Sequence, residues 1–362
     1  MAPAARHQGD RMTQEPALSE ALRPYRARLE SEMVRGLPPF PSGTPDPAHV
    51  KPDETAPLHP LRHVIDAGGK RLRPLLTMLA CEAVCEDADR ALPTAAGLEL
   101  LHTFTLVHDD VMDNDLTRRG RPTVHALWGG PLAICAGDAL YAFAFDKMAQ
   151  NLGTARVTPE TIVHIMRRAA EVSYELSAGQ TQDLLFEKRD DVTLDEYLEM
   201  IRLKTGVLIQ LSVEAGARIG GGDTEQVAAL SDYGRHIGLA FQIVDDLLDL
   251  VADEAELGKP VGSDIRAGKK TYPVLHALDH LGPADRARLL DILTTPEPET
   301  TPTMVQEGLS LLVEADSMEA AKVHATREVE NARAALGRLD APGGSAIALL
   351  ARVADYMITR RN

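Results

Sequence analysis

Three cysteines in 362 residues, Cys81, Cys85 and Cys135, are too few and odd in number for a disulfide framework, so cross-links do not hold this fold together. Cys81 and Cys85 stand four apart on an expected helix. No set of further metal ligands accompanies them, and they read as small buried apolar residues. Basic charge is also scarce, with 38 Lys and Arg against 54 Asp and Glu and a formal net charge of −16. A chain so charged repels polyanions and lacks a basic footprint, which argues against nucleic acid as a partner. The first 20 residues lack the apolar core of a secretory signal. Long apolar runs are missing too: the most membrane-like stretch, 126–145, is interrupted by Gly129, Gly130, Pro131 and Asp138 and reads as a turn followed by a buried helix. These absences together predict a cytoplasmic protein with no transmembrane segment.

What is present is enough apolar sequence, 44% of residues, to build a packed core. Between residues 37 and 60 lie eight prolines, each lacking an N–H and restricting its neighbour, which marks a loop or tether. It separates an N-terminal helical segment, around 19–34, from a main body that begins near Leu61. The expected organisation is therefore a segment 1–60 and a domain 61–362. Within that domain apolar residues recur at spacings of three and four through 72–86, 94–112, 131–150, 160–185, 194–219, 225–251, 271–282 and 304–337, with few alternating runs. The body reads as all-α. A second Pro/Thr-rich break, 294–303, reads as a surface loop before two C-terminal helices.

Two carboxylate clusters interrupt this apolar pattern. The first is Asp109-Asp110-Val-Met-Asp113 and the second Asp245-Asp246-Leu-Leu-Asp249. In each, the outer carboxylates stand at i and i+4, on one helix face and one turn apart. A solvated face is the ordinary explanation of such a pair. These clusters, however, lie within strongly apolar helices, where unpaired carboxylates are costly to bury. Neither triplet contains Lys or Arg, so the compensating cation comes from elsewhere. One or two carboxylates completed by water and phosphate oxygens are how proteins usually hold magnesium.

Basic residues flank both clusters. Gly68-Gly69-Lys70-Arg71-Leu72-Arg73-Pro74 opens a helix and is either a phosphate cradle or a solvated basic loop. Arg118-Arg119-Gly120-Arg121 follows the first cluster, and Lys204-Thr205-Gly206, Gly258-Lys259-Pro260 and Lys269-Lys270 add further cations. In an acidic chain, cations beside both clusters point to a metal-bridged anion site.

The ordered set GGKRLRP, LELLHTFTLVHDDVMD, RRGRPT, GQTQD, KTG, FQIVDDLLD and GKPVGSD…GKKTYP resembles the trans-isoprenyl diphosphate synthases of the polyprenyl synthetase family, from about Leu61 to at least Pro273. The resemblance implies an all-α isoprenoid synthase type I fold, helices around a deep central cavity, and a homodimer. It implies that Asp109, Asp110, Asp113, Asp245, Asp246 and Asp249 hold Mg2+ on an allylic diphosphate that Arg118, Lys204, Lys259 and Lys269 also contact. Lys70, Arg73, His102 and Arg119 match positions that bind isopentenyl diphosphate, and Thr205 and Gln242 match polar positions near the allylic carbon. The implied reaction is ionisation of the allylic diphosphate, attack by the isopentenyl double bond and loss of a proton to the released diphosphate.

In this family the residue five before the first aspartate often floors the product tunnel. Here that is Phe104, with Thr105 beside it and Leu101 a turn beneath; plain core packing is the alternative for Phe104. A bulky floor without an insertion in the motif most resembles enzymes making geranylgeranyl diphosphate, then farnesyl diphosphate. Two other functions compete: a class I terpene cyclase, which has no use for a second diphosphate site, and a non-catalytic subunit modulating another synthase, a role in which aspartates are typically lost. The N-terminal extension departs from the core family, and its role stays open.

Overall fold

The computed structural model describes residues 4–35, 37, 58–251 and 262–360. Its helices, in chain order, are α1 (Ala4–Val34), α2 (Leu58–Asp66), α3 (Leu72–Cys85), α4 (Leu92–Met112), α5 (Val124–Trp128), α6 (Gly130–Gln150), α7 (Pro159–Phe186) and α8 (Leu194–Ile201). They continue as α9 (Val207–Gly220), α10 (Thr224–Val251), α11 (Ser263–Arg266), α12 (Tyr272–His280), α13 (Pro283–Thr294), α14 (Pro302–Glu314), α15 (Ser317–Leu336) and α16 (Gly344–Thr359). Among the described residues the sheet is limited to one antiparallel pair, β1 (Thr117–Arg118) and β2 (Arg121–Pro122). The all-α expectation holds, and no described helix is long and apolar enough to cross a membrane.

The central helix is α9. One of its faces, Leu208, Leu211, Ala215 and Ile219, joins a core with α4, α6 and α7. Its other face, Ile209, Val213 and Ala217, joins a second core with α3, α10 and α16. A helix buried on both sides needs apolar residues all round, which is why this stretch shows little polar face. A third core gathers α8, the end of α10 and α12 to α15. Local signals start the helices: Thr158 accepts from the Thr161 N–H ahead of Pro159, and Thr193 and Glu196 form a reciprocal capping box at α8.

Three helical stretches differ from the sequence pattern. The run 194–219 is α8, a π-helical turn at Arg202–Gly206, and then α9. The run 304–337 is broken at Asp316, whose φ of 55° is left-handed, so three helices rather than two follow residue 301. Periodicity resumes at once after the break and hides it. Helix α13 was not visible as apolar period, although Pro283 stands at its first turn.

Helix α1 is longer than expected and docks on the bundle. Leu29 and Met33 are fully buried in the first core, Leu18 and Leu22 in the second. Glu32 receives the buried Lys147 ammonium at 3.1 Å, and the Tyr25 hydroxyl donates to Glu82 at 2.7 Å. Residues 38–57 of the proline-rich stretch lie outside the described residues.

Candidate active site

Helix α10 contributes to two cavities of opposite character. The first, of about 440 Å³, is lined by Gly69, Lys70, Arg71, Arg73, His102, Arg119 and Phe241, with Glu99 its one acidic residue. Its wall forms where the chain turns from α2 into α3 through Gly68, at φ 74°, and Gly69, at φ 144°. A side chain at 69 would also collide with the Arg119 guanidinium, whose Nη1 would lie 2.6 Å from the added carbon. Arg119 in turn donates to the Gly68 carbonyl. Glycine therefore lets Arg119 of RRGRPT reach the backbone of GGKRLRP. Arg71, itself left-handed at φ 53°, turns inward to a buried 2.8 Å ion pair with Glu99.

Arg73 approaches His102 at 3.1 Å, and because a guanidinium only donates, His102 Nε2 is the acceptor. Burial, then Arg73 and Arg119, hold the His102 pKa well below the ordinary imidazole range. Burial also brings Arg73 down to about 10. With Glu99 taken up by Arg71, a neutral imidazole beside Lys70, Arg73 and Arg119 leaves the cavity with an excess of positive charge, which suits an anion.

The second cavity, of about 370 Å³, is lined by Asp183, Tyr197, Lys204, Thr205, Gln242, Asp245, Asp246, Asp249, Asp264 and Lys269. Gly179 of α7 allows the π-helical turn to come close, since a Cβ there would run into the Lys204 backbone. One turn later Asp183 accepts from Lys204 Nζ at 2.5 Å. Thr205 donates to Gln242 Oε1 at 2.9 Å, while Gln242 Nε2 donates to Asp246 Oδ1 at 2.9 Å, so the amide is held in one orientation. Tyr197, fully buried, donates its hydroxyl to the other Asp246 oxygen. Burial and Asp264 push the Asp246 carboxyl upward, against those two donors. Asp249 accepts from Ser263 Oγ at 2.5 Å and from the Asp264 N–H at 3.0 Å. Burial opposes the charge on Lys269, yet Asp264, Asp183 and Asp113 hold its pKa above the ordinary lysine range.

The first aspartate motif closes α4. Asp110 is 4% exposed and takes Arg118 Nε at 2.5 Å. Asp109 faces Lys204 and Arg118; burial nevertheless raises its pKa to about 6. Asp113 caps the helix and its charge reaches Lys269. Lys204 and Lys269 thus lie between the two aspartate motifs.

The donor set is chemically suited to magnesium. All the candidate ligands are hard carboxylate oxygens, and Asp109–Asp113 and Asp245–Asp249 repeat at one helical turn. Among the described residues no three acidic, His or Cys side chains converge as a complete metal cage. A magnesium ion held there would take the rest of its shell from water and phosphate oxygens, as such sites commonly do. Were Asp109 to serve as a metal ligand, it would first have to ionise. Apparent affinity for Mg2+ is expected to fall as pH drops through about 6, with proton uptake on metal release. Calorimetric titrations from pH 5 to 7.5, in buffers of different ionisation enthalpy, measure both.

Leu101 is fully buried, and Thr105 spends its hydroxyl on the His102 carbonyl at 2.8 Å. Phe104 is half-buried and meets His108 and Tyr141 edge-on at 4.8 and 5.1 Å between centroids, with Phe145 beyond. Lys259 lies outside the described residues. Sequence reasoning did not single out Asp183, Tyr197, Asp264 or the Arg71–Glu99 pair as site residues. Asp183 ends GQTQD, Asp264 ends GKPVGSD, and Arg71 and Glu99 lie in GGKRLRP and LELLHTFTLVHDDVMD, so motif membership was a signal for all but Tyr197.

The family model for polyprenyl synthetase matches residues 55–310. The chain is 43% identical over 305 residues to a short chain isoprenyl diphosphate synthase of Methanothermobacter thermautotrophicus, covering 84% of this chain and 90% of that protein. It is 41% identical to a geranylgeranyl diphosphate synthase of Methanosarcina mazei, covering 83% and 88%. The crystal structure of a geranylgeranyl pyrophosphate synthetase from Pyrococcus horikoshii superimposes with a TM-score of 0.83 at 38% identity, covering 95% of this chain and 99% of that one. The chain therefore belongs to the polyprenyl synthetase family, and it is a prenyltransferase with the all-α isoprenoid synthase fold.

Proposed function

We propose that the protein joins isopentenyl diphosphate head to tail to an allylic diphosphate and releases geranylgeranyl diphosphate, with farnesyl diphosphate the next choice. The observation that carries this reading is a pair of cavities lined by consecutive residues of α10, Phe241 and Gln242, one rich in cations and one lined by carboxylates with interleaved lysines. The cationic cavity takes isopentenyl diphosphate on Lys70, Arg73, His102 and Arg119. The acidic one takes the allylic diphosphate on Arg118, Lys204 and Lys269, with Lys259 assigned there from sequence. Magnesium on Asp109, Asp110, Asp113, Asp245, Asp246 and Asp249 would supply positive charge to the departing diphosphate. Of these, Asp110 and Asp246 are already engaged by Arg118 and by Tyr197 with Gln242, which orient them.

Thr205 and Gln242 present fixed dipoles beside the reacting carbon, and the apolar walls of α4 and α6 exclude water from the cation. Residues 61–362 form the synthase domain, with α1 of segment 1–60 packed against it. We further read the protein as a cytoplasmic homodimer. Its three cysteines are free, and Leu132, Ile134, Val163 and Tyr174 stay exposed on the neighbouring helices α6 and α7.

Incubation with magnesium, isopentenyl diphosphate and dimethylallyl, geranyl or farnesyl diphosphate, followed by mass identification of the dephosphorylated products, tests the reaction. Linear prenols are expected. Cyclic hydrocarbons formed without consumption of isopentenyl diphosphate would point to a cyclase and overturn the proposal. Phe104→Ala is expected to lengthen the product by at least one isoprene unit, since it removes the ring that closes on Tyr141 and His108. An unchanged product length in that variant removes the floor role and leaves Phe104 as core packing.

A further inference from the structure

The chain's C-terminal helix delivers a cation to the second aspartate motif. After α16 ends at Thr359 the backbone turns extended, and the Arg360 side chain, 2% exposed, enters the bundle beside α10. Its Nη2 donates to the Phe241 carbonyl at 2.8 Å and to Asp245 Oδ1 at 3.1 Å. The guanidinium carbon lies 4.1 Å from the Phe241 ring centroid. Its buried Nε has no acceptor among the described residues. A buried guanidinium with one carboxylate partner and one orphan donor depends strongly on that partner. Asp245, by contrast, is 54% exposed and keeps an oxygen open to the acidic cavity.

We propose that Arg360 is a positioning residue that competes with divalent cations for Asp245, so that the C-terminal helix helps set metal affinity at the cleft. The inference rests on the functional reading above. Two cations cannot both bind one carboxylate closely without repelling each other, so a metal at Asp245 must displace Arg360 or tolerate it. Removing the guanidinium charge then favours the metal.

The test uses the full-length protein, Mn2+ titrated alone and followed by its paramagnetic resonance signal, and the magnesium concentration giving half-maximal prenyl transfer. Arg360→Met keeps the apolar stem over Phe241 and is expected to tighten Mn2+ about 2- to 5-fold, a range set by the solvent exposure of Asp245. Arg360→Lys keeps the charge and should fall between the two. In an Asp245→Asn background the Arg360→Met effect should vanish. Thermal melting reports that each variant is folded. Equal or weaker Mn2+ affinity in a folded Arg360→Met protein would overturn the proposal, as would an undiminished effect in the Asp245→Asn background. Failure of the functional reading shows differently, as no prenyl transfer by the unmodified protein.

Discussion

Asp109→Asn is expected to lower kcat/KM for prenyl transfer by about 10³-fold while leaving the fold at least as stable. The amide keeps the shape of the carboxylate and loses its charge, and removal of one preorganised electrostatic group from an active site typically costs about 10²- to 10³-fold. Asp109 is placed at the upper end of that range because its charge acts on both Lys204 and Arg118. Stability moves the opposite way. The folded pKa is raised to about 6, chiefly by burial, so the stability linked to this group is fully present below the ordinary aspartate range and is lost as pH rises through 6. Asn never ionises. The variant should therefore melt at or above the parent temperature at pH 7.5, and the difference should close by pH 4. Loss of both activity and stability would instead mark Asp109 as a structural residue.

Breaking the Arg71–Glu99 pair should have the largest effect on stability. Both side chains are almost fully buried, with 3% and 2% exposed, and Arg71 also donates to the Ile65 carbonyl at 2.9 Å. Arg71→Met leaves Glu99 charged and unpaired inside the bundle, a change that costs about 3–5 kcal/mol. Denaturant titration measures it. The double variant Arg71→Met with Glu99→Leu should recover most of that loss, because replacing both members removes the uncompensated charge. The same experiment separates two roles within one motif. Lys70 and Arg73 contribute to the wall that would receive an anion, whereas Arg71 holds the turn that presents them. If Arg71→Met were neutral, the turn would owe its left-handed geometry to the glycines alone.

Sequence carried the helical class because apolar spacing at three and four survives in nearly every long element. It carried the aspartates because two charged triplets inside apolar helices violate the expected pattern. Pairings across the chain were another matter. Nothing local to Asp183 announces that it receives Lys204, 21 residues away, and Tyr197 looks like any aromatic on an amphipathic helix. Both depend on which helices become neighbours, and that is settled by tertiary packing. Arg71 shows the same limit: its place between Lys70 and Arg73 does not reveal that its left-handed φ turns it toward Glu99. The break at Asp316 escaped notice because the helical period resumes immediately.

The π-helical turn at Arg202–Gly206 makes the chemistry and the core independent of one another. An α-helix fixes the bearing of every later residue at about 100° per step, so a continuous helix from 194 to 220 would tie the direction of Lys204 to that of Leu208 and Leu211. The wider turn works as a phase shifter: Lys204 and Thr205 address the cleft, and α9 resumes with the bearing its two cores demand. Deleting a single residue from the turn would restore the narrower α-helical step and re-aim Lys204 and Thr205 relative to α9, without removing any functional group.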